Sequence, residues 1–370
     1  MTPPRTPNPD LAVGPDNKQR WNRAAHRRHG FHNAHRLFRR ALMVRARHVL
    51  DLTPDPQGLP DLAPFLRNPA FSALCCLQGN RILFEAAAPD FATTAPHSIQ
   101  SVTKLHIHLI IGRLLAEGRL SPDARVSEIL PTMGSGYADA TLQALLDMAV
   151  TNDFTEDYSD PASDCFAEEQ ALGWRLPQGD TPEVTLHDFA AAITGFRPGP
   201  APATAQYKSA NTDVLTLIAA RVSPRPLARL IEEIADAAGY EGAFHISLST
   251  EGLPAFSGGG CLSARDLARF GLLLARQDSP VADAAFLRHT LARPAPALPA
   301  PRDWLRYSNH TMTDGRVIGH AGYGGQFLMV DTVTGTSCAF LSVLQNESGY
   351  DTDYMSALAT LLRRLVTAPA

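Results

Sequence analysis

The run from Ser101 to Glu117 constrains this chain most: Val102, Leu105, Ile107, Leu109, Ile110, Ile111, Leu114 and Leu115 surround almost the whole circumference of a helix. Such a helix must be buried on nearly every side, so the chain has to build a domain around it. Gly118 can close it in a left-handed conformation. A length of 370 residues and 45% hydrophobic content supply the core for one large domain or two intimately joined ones. Within this apolar frame Lys104 stands out, because a buried ammonium is costly and needs a reason.

Lysine is otherwise nearly absent. Of the 33 Lys and Arg residues only Lys18, Lys104 and Lys208 are lysine. Where positive charge alone is wanted the sequence uses arginine, so a retained lysine points to a task guanidinium cannot perform, of which proton transfer is the obvious one. Lys104 follows Ser101 by three residues, which raises both side chains on one helix face about one turn apart. At the helix N-terminus, unpaired backbone N–H groups and the helix dipole favour negative charge developing on Ser101. Nucleophile, base and part of an oxyanion hole thus fit within four residues. The same spacing occurs on ordinary solvated helices; the apolar setting is what favours catalysis here.

Two further clusters are polar or glycine-rich. Tyr207-Lys208-Ser209-Ala210-Asn211 precedes a helix expected from near Thr212, and is either ordinary N-capping or a second catalytic element. Gly319-His320-Ala321-Gly322-Tyr323-Gly324-Gly325 is a strand running into glycines, either a plain hairpin turn or a place where a substrate comes close.

Phe71 to Gln78 and Arg81 to Ala87, split by Gly79-Asn80, predict a hairpin. Val317 to Gly322, Gln326 to Val330 and Ser337 to Leu344 predict strands near the other end, with a turn at Thr332-Val333-Thr334-Gly335. Helices are expected at Ser263 to Arg276, capped by Ser263, and from Asp351 onward. From Ser121 to about Gly239 the pattern is mainly helical, clearest at Leu142 to Ala149 and Asp213 to Val222. The result is an α/β fold with a central antiparallel sheet flanked by helices. Its α/β part comprises about 19–105 and 245–370, a mainly helical subdomain is inserted at about 106–244, and 1–18 forms a disordered tail. The site is expected between the two lobes of this single catalytic domain.

Composition excludes other classes. A net charge of -4 gives no global attraction to nucleic acid or to a membrane surface. Met1 to Asp16 lacks the apolar core of a secretory signal and no stretch is long enough to span a bilayer, so a cytoplasmic location is expected. Cys75, Cys76, Cys165, Cys261 and Cys338 show neither a disulfide framework nor zinc spacing and read as reduced, buried thiols. Arg20 to His48 carries nine arginines and five histidines without an acid. A targeting peptide or polyanion-binding arm is one reading; interleaved Trp21, Phe31, Leu37, Phe38, Leu42 and Val44 favour an amphipathic strap over the domain. A homodimer is left open.

Ser98-Ile99-Gln100-Ser101-Val102-Thr103-Lys104, Gly118-Arg119-Leu120-Ser121-Pro122-Asp123 and Ile129-Leu130-Pro131 resemble the opening block of the β-lactamase-related serine hydrolases, the superfamily of class C β-lactamases and penicillin-binding proteins. Leu145-Leu146-Asp147-Met148, the stretch from Glu156 to Ser163, and Gly173-Trp174-Arg175 resemble a narrower branch, the 6-aminohexanoate-dimer hydrolases and their carboxylesterase relatives. Tyr207, Ser209 to Leu215, Gly258-Gly259 and Ser263 to Ala268 continue the match, which runs from about Arg81 to Leu365.

The resemblance implies a β-lactamase/transpeptidase-like fold. It also implies Ser101 as nucleophile, Lys104 as its base, neutral through desolvation, and Tyr207 as the group that delivers a proton to the leaving group. The backbone N–H groups of Ser101 and Tyr323 would form the oxyanion hole. Tyr158 would contact the substrate amide, and Ser209, Asn211, Ser257, His320, Gly322 and Glu169 would surround the substrate; Glu168 and Glu169 are read first as solvated surface acids, with attraction of an ammonium end as the alternative. Two departures bear on substrate. Ser209 stands where class C enzymes carry Asn, and His320-Ala321-Gly322 replaces a Lys-Thr-Gly whose lysine helps hold a lactam carboxylate. The expected activity is therefore hydrolysis of a small amide or ester through an acyl-enzyme, without metal or cofactor. The alternatives are a β-lactamase or D-Ala-type peptidase, and a catalytically silent binding protein of the same fold. An α/β-hydrolase would need a Gly-x-Ser-x-Gly elbow, which Gly134-Ser135-Gly136 is not.

Overall fold

Apolar runs divided by Gly79, at φ 59°, form the expected hairpin, and its first strand is buried along nearly its whole length. The computed structural model describes residues 21–57, 62–160, 162–175, 182–276 and 279–368; the tail expected at 1–18 lies outside them. The strands are β1 (Ala41–Arg45), β2 (Thr53–Pro54), β3 (Phe71–Gln78), β4 (Arg81–Ala87), β5 (His97–Ser98), β6 (Ala243–Ser247), β7 (Gly260–Leu262), β8 (Arg306–Ser308), β9 (Thr311–Thr313), β10 (Val317–Gly322), β11 (Gln326–Asp331) and β12 (Thr336–Ser342). The longer helices are α1 (Ala24–Leu37), α2 (Lys104–Ala116), α3 (Cys165–Ala171), α4 (Leu186–Ala192), α5 (Ser209–Val222), α6 (Leu227–Ala238), α7 (Ala264–Ala275), α8 (Ala284–Ala292) and α9 (Thr352–Thr367).

An eight-stranded sheet runs in the order β2-β4-β3-β12-β11-β10-β9-β8, antiparallel throughout except where β2 meets β4. Its centre joins distant sequence: β12 pairs with β3 so that Cys338 lies opposite Cys76. Alternate residues of these strands serve two cores. Ala73, Cys75, Leu77, Ala339 and Leu341 belong to one, with α2 and α7. Leu74, Cys76, Cys338 and Phe340 belong to the other, with α9. Helix α7 is capped by the Ser263 hydroxyl, which accepts from the Asp266 amide, and α9 by the Asp351 carboxylate, which accepts from that of Tyr354.

A second sheet, β1-β6-β7-β5, was not foreseen. Its strands are two to five residues long and β1 lies within the arginine-rich segment, so neither length nor alternation marks them. Helix α5 begins at Ser209 rather than near Thr212. No local side chain caps it; the carboxylate of Glu156 accepts from the Ser209 amide at 2.5 Å, a cap supplied from 53 residues away.

Of the Arg20 to His48 segment, the described part from Trp21 docks as a strap. Phe31 and Ala34 of α1 are buried with Trp21 against Cys261 and Val343. Arg27 is buried too, and its guanidinium donates to the carbonyls of Leu344, Asn346 and Glu347 at 2.8, 2.6 and 3.2 Å. Arg28 pairs with Asp90 and Arg47 with Asp236. These arginines are spent on the protein itself.

Phe31→Ala should cost about 3–5 kcal/mol in urea denaturation, the range for deleting a buried aromatic ring, whereas Met43→Ala, 59% exposed on β1, should stay within about 0.5 kcal/mol. Equal effects would mean that the strap is not docked in solution.

Candidate active site

Ser101 lies on a tight 3-10 turn, Gln100–Thr103, that leads into α2, with Lys104 as the first α-helical residue. Gln100 enters that turn at φ 47°, a left-handed conformation costing a non-glycine residue on the order of 1–3 kcal/mol. The turn is braced by the Thr103 hydroxyl, which donates to the Gln100 carbonyl at 2.6 Å and accepts from the Gly260 amide at 3.1 Å. The end of β10 is pressed against it: a Cβ at Gly322 would lie 2.8 Å from the Ile99 carbonyl oxygen and 3.0 Å from Gln100 Cβ. Glycine there lets the strand end and Tyr323 come beside Ser101.

Lys104 is fully buried. Its Nζ lies 3.2 Å from Ser101 Oγ, 3.0 Å from Ser209 Oγ and 2.5 Å from the Ser257 carbonyl oxygen, three partners for three N–H donors. The Tyr207 ring centroid is 5.0 Å away. Burial opposes the charge on Lys104, but Tyr207 and the Glu156 carboxylate outweigh it and hold the ammonium above its usual pKa. The neutral resting amine expected from desolvation alone is therefore corrected: this site is buried but not apolar. The Tyr207 hydroxyl makes no well-aligned hydrogen bond, although Lys104 and Ser101 are both close enough to act on it. Burial raises its pKa against the pull of Lys104.

Glu156 is the residue that sequence reasoning left without a role. It accepts from both the amide and the hydroxyl of Ser209, the latter at 2.8 Å, and so fixes the group that orients Lys104. Lys208, the other described lysine, donates to the carbonyls of Phe154 and Asn152 at 2.6 and 3.5 Å and anchors the loop that carries Glu156 and Tyr158. Behind these lie Glu168 and Asp213, both buried. Burial raises the pKa of each, and each acts on the other. Neither Asp213 oxygen has a well-aligned donor, although Glu168 and Ser257 are both close enough to act on it.

These groups meet a cavity of about 510 Å³ lined by Ser101, Tyr207, Ser209, Ser257, Gly322, Tyr323, Tyr158 and Glu168, with Trp174, Met312, Arg302 and Tyr350 among the others. Three expected substrate contacts do not line it. Asn211 is buried and accepts from the Tyr137 hydroxyl at 2.9 Å, because α5 starts early and turns that side chain inward. His320 is buried, with Nε2 2.9 Å from the Tyr307 hydroxyl, and burial lowers its pKa to about 3. Glu169 turns away to pair with Arg175. Arg302 and Tyr350 gave no signal in the sequence, since they reach the cavity only through loops of the folded chain.

Because burial raises both carboxyl pKa values above their unfolded ones, the stability Glu168 and Asp213 contribute is complete below about pH 4 and is lost as pH rises through their folded values, about 6 for Asp213. Asp213→Asn should thus flatten the fall in Tm between about pH 4 and 7.5. An unchanged slope in a thermal melt series would show that the pair carries no shared proton.

A profile of the Beta-lactamase family matches residues 72–361. A 6-aminohexanoate-dimer hydrolase of Paenarthrobacter ureafaciens is 31% identical over 274 residues, covering 72% of this chain and 69% of the relative. Among solved structures, a candidate 6-aminohexanoate-dimer hydrolase from Bacillus anthracis superposes with a TM-score of 0.79 at 18% identity, covering 94% of this chain and 95% of the other. A D-stereospecific amidohydrolase from Streptomyces gives 0.59 at 18% identity, covering 84% and 100%. With a β-lactamase/transpeptidase-like fold and a family profile spanning most of its length, the chain belongs to the β-lactamase family of serine hydrolases and is related to 6-aminohexanoate-dimer hydrolase.

Proposed function

We propose that this protein hydrolyses small amides or esters by acyl transfer through Ser101. The reading rests on one observation above all: a fully buried ammonium, aimed by Ser209 and the Ser257 carbonyl, stands 3.2 Å from a serine hydroxyl in the wall of a large cavity. The minor neutral form of Lys104 takes the Ser101 proton as Oγ attacks the substrate carbonyl. The amides of Ser101 and Tyr323 hold the oxyanion, a task that needs no side chain. Tyr207 gives its proton to the departing amine or alcohol and recovers one from Lys104. Water then cleaves the acyl-enzyme by the same groups. Tyr158, whose ring centroid is 5.3 Å from that of Tyr323, borders the reacting carbonyl, and Glu156, Asp157 and Glu168 line the cavity where an ammonium-bearing substrate end would meet them.

Linear amides and esters are favoured over β-lactams. The lysine that would grip a lactam carboxylate is replaced by His320, which is neutral, bonded to Tyr307 and turned out of the cavity. A cytoplasmic location fits the reduced state of the buried cysteines; among the described residues no helix is long and apolar enough to cross a membrane.

Ser101→Ala should abolish turnover and covalent labelling by a fluorophosphonate while changing stability by no more than about 1 kcal/mol. Intact-protein mass spectrometry checks this, and labelling at another serine would overturn the assignment. Lys104→Arg should be as inactive as Lys104→Ala, since guanidinium keeps the charge but cannot accept a proton at neutral pH. Because the charged form of Lys104 is favoured at rest, kcat/KM should rise with pH through the neutral range and beyond; a flat profile from pH 6 to 9 would mean that the amine is already free. Wild type should also cleave p-nitrophenyl butyrate faster than nitrocefin, and the reverse order would make it a β-lactamase with an unfamiliar third motif.

A further inference from the structure

A methionine occupies a backbone position where glycine would be expected. Among the described residues, the non-glycine residues at positive φ are Gln100, Met148, Asn309 and His310. Asn and His enter that region more readily than other side chains, and Gln100 introduces the Ser101 turn, but Met148 at φ 50° has neither reason. It stands just past the short helix Leu142–Leu146, where its amide donates to the Leu145 carbonyl at 3.3 Å and the Ala149 amide donates to the Ala144 carbonyl at 2.9 Å. Those two bonds make the common left-handed helix ending, in which the strained position is usually glycine. Strain of this kind persists only where the surroundings over-determine it.

The side chain supplies what glycine could not. Met148 is fully buried; its carbonyl oxygen accepts from the Gln206 amide at 2.8 Å and its Sδ accepts from the Lys208 amide at 3.4 Å. The two residues held in this way flank Tyr207. The same sulfur accepts from Asn211 Nδ2 at 3.4 Å, and Asn211 Oδ1 accepts from the Tyr137 hydroxyl, so the clamp reaches into the first turn of α5, which begins with Ser209. A thioether is a weak acceptor, but without it two buried N–H groups would go unpaired. Tyr207 has no well-aligned bond at its own hydroxyl, so its ring goes where the backbone sends it, 5.8 Å from Tyr307 between centroids and 5.0 Å from Lys104 Nζ. We infer that Met148 is a positioning residue for Tyr207, its carbonyl and thioether clamping the two flanking amides so that the phenol faces the leaving group. The inference rests on the acyl-transfer reading for what Tyr207 does there: as the bond from the tetrahedral carbon to the leaving atom breaks, that atom takes the Tyr207 proton, and the phenolate takes one from the Lys104 ammonium.

Leucine and asparagine at position 148 separate the clamp from packing, because one places a methyl carbon and the other an acceptor oxygen at the branch where Sδ lies. The substrates are p-nitrophenyl, phenyl, trifluoroethyl and ethyl butanoate, which form one common acyl-enzyme and differ in how much the leaving group needs a proton. Met148→Leu should lower kcat/KM by about ten- to a hundredfold for the ethyl ester and by less than about threefold for the p-nitrophenyl ester. Met148→Asn should stay near the wild-type slope, whereas a role in packing alone would favour leucine. Met148→Gly, which suits the backbone angle but has no acceptor, should share the slope of Met148→Leu, so the comparison does not depend on the leucine variant folding. Tyr207→Phe should steepen the slope further, and adding Met148→Leu to it should change the slope no more. Equal loss on all the esters in the leucine and glycine variants overturns the positioning, as does an asparagine variant no better than they are. Hydrogen exchange reads the clamp without turnover: the Lys208 amide should exchange about tenfold faster in Met148→Leu or Met148→Gly than in wild type, and an unchanged rate overturns the clamp. If Tyr207→Phe leaves the slope unaltered while Lys208 exchange rises in these variants, the clamp stands and proton delivery by Tyr207 fails; if Tyr207→Phe steepens the slope and they do not, the acyl-transfer reading stands and the positioning fails.

Discussion

Keeping the Lys104 ammonium charged inside the domain is the constraint on which the rest of the site depends. An unpaired buried ammonium would be several kcal/mol out of balance, so each of its donors must find an acceptor. Ser101, Ser209 and the Ser257 carbonyl come from the α2 turn, the α5 N-terminus and the loop before β7, and the lysine draws these three segments to one point. Ser209 can accept from Lys104 because its own hydroxyl proton goes to Glu156, and Glu156 is in place because Lys208 pins its loop. The chain of dependence runs outward from one nitrogen. Catalytic geometry and the packing of the helical region against the sheet are two aspects of the same arrangement.

That arrangement also explains why Glu168 and Asp213 coexist behind the site. A fully ionised pair would add two negative charges to a region already holding Glu156, and with no guanidinium to pair them it would be strongly repulsive. Burial, and for Glu168 the charge of Asp213, favour the protonated form and so ease that repulsion. The electrostatics are thus set by several groups together, and reasoning from burial alone mistook the direction in which Lys104 is shifted.

Much of the fold was legible because it rests on local patterns. The β3–β4 hairpin follows from Gly79-Asn80 between apolar runs, α7 and α9 from Ser263 and Asp351 as caps, and the burial of α2 from its all-round apolar surface. The lysine economy identified Lys104 before any coordinates. It also shows the limit of such reasoning, since Lys208 obeys the same rule for another purpose, fitting a compact ammonium between two carbonyls. What stayed hidden depends on distant pairing. The start of α5 is set by Glu156, the second sheet by strands of two to five residues, and the inward turn of Asn211 by where α5 begins. Tyr323 was implied only by the family resemblance, whereas Arg302 had no signal at all, because no spacing in the sequence ties the loop before β8 to Ser101.

The third motif separates what backbone and side chain contribute. An oxyanion hole asks only that the end of β10 lie beside the Ser101 turn, and the close fit of Gly322 on Ile99 and Gln100 meets that demand whatever stands at position 320. The side chain there is released from substrate binding, and His320 uses the freedom as a core residue bonded to Tyr307. Strap α1 reinforces the same strand end from outside, with Phe31 against Tyr323 at 6.2 Å between ring centroids and Arg27 5.3 Å from the centre of that ring. Under the proposed acyl-transfer reading, a rigid backbone at the reacting carbonyl leaves recognition to the cavity-lining loops at 156–159, 298–302 and 348–350, and the chemistry to the buried lysine.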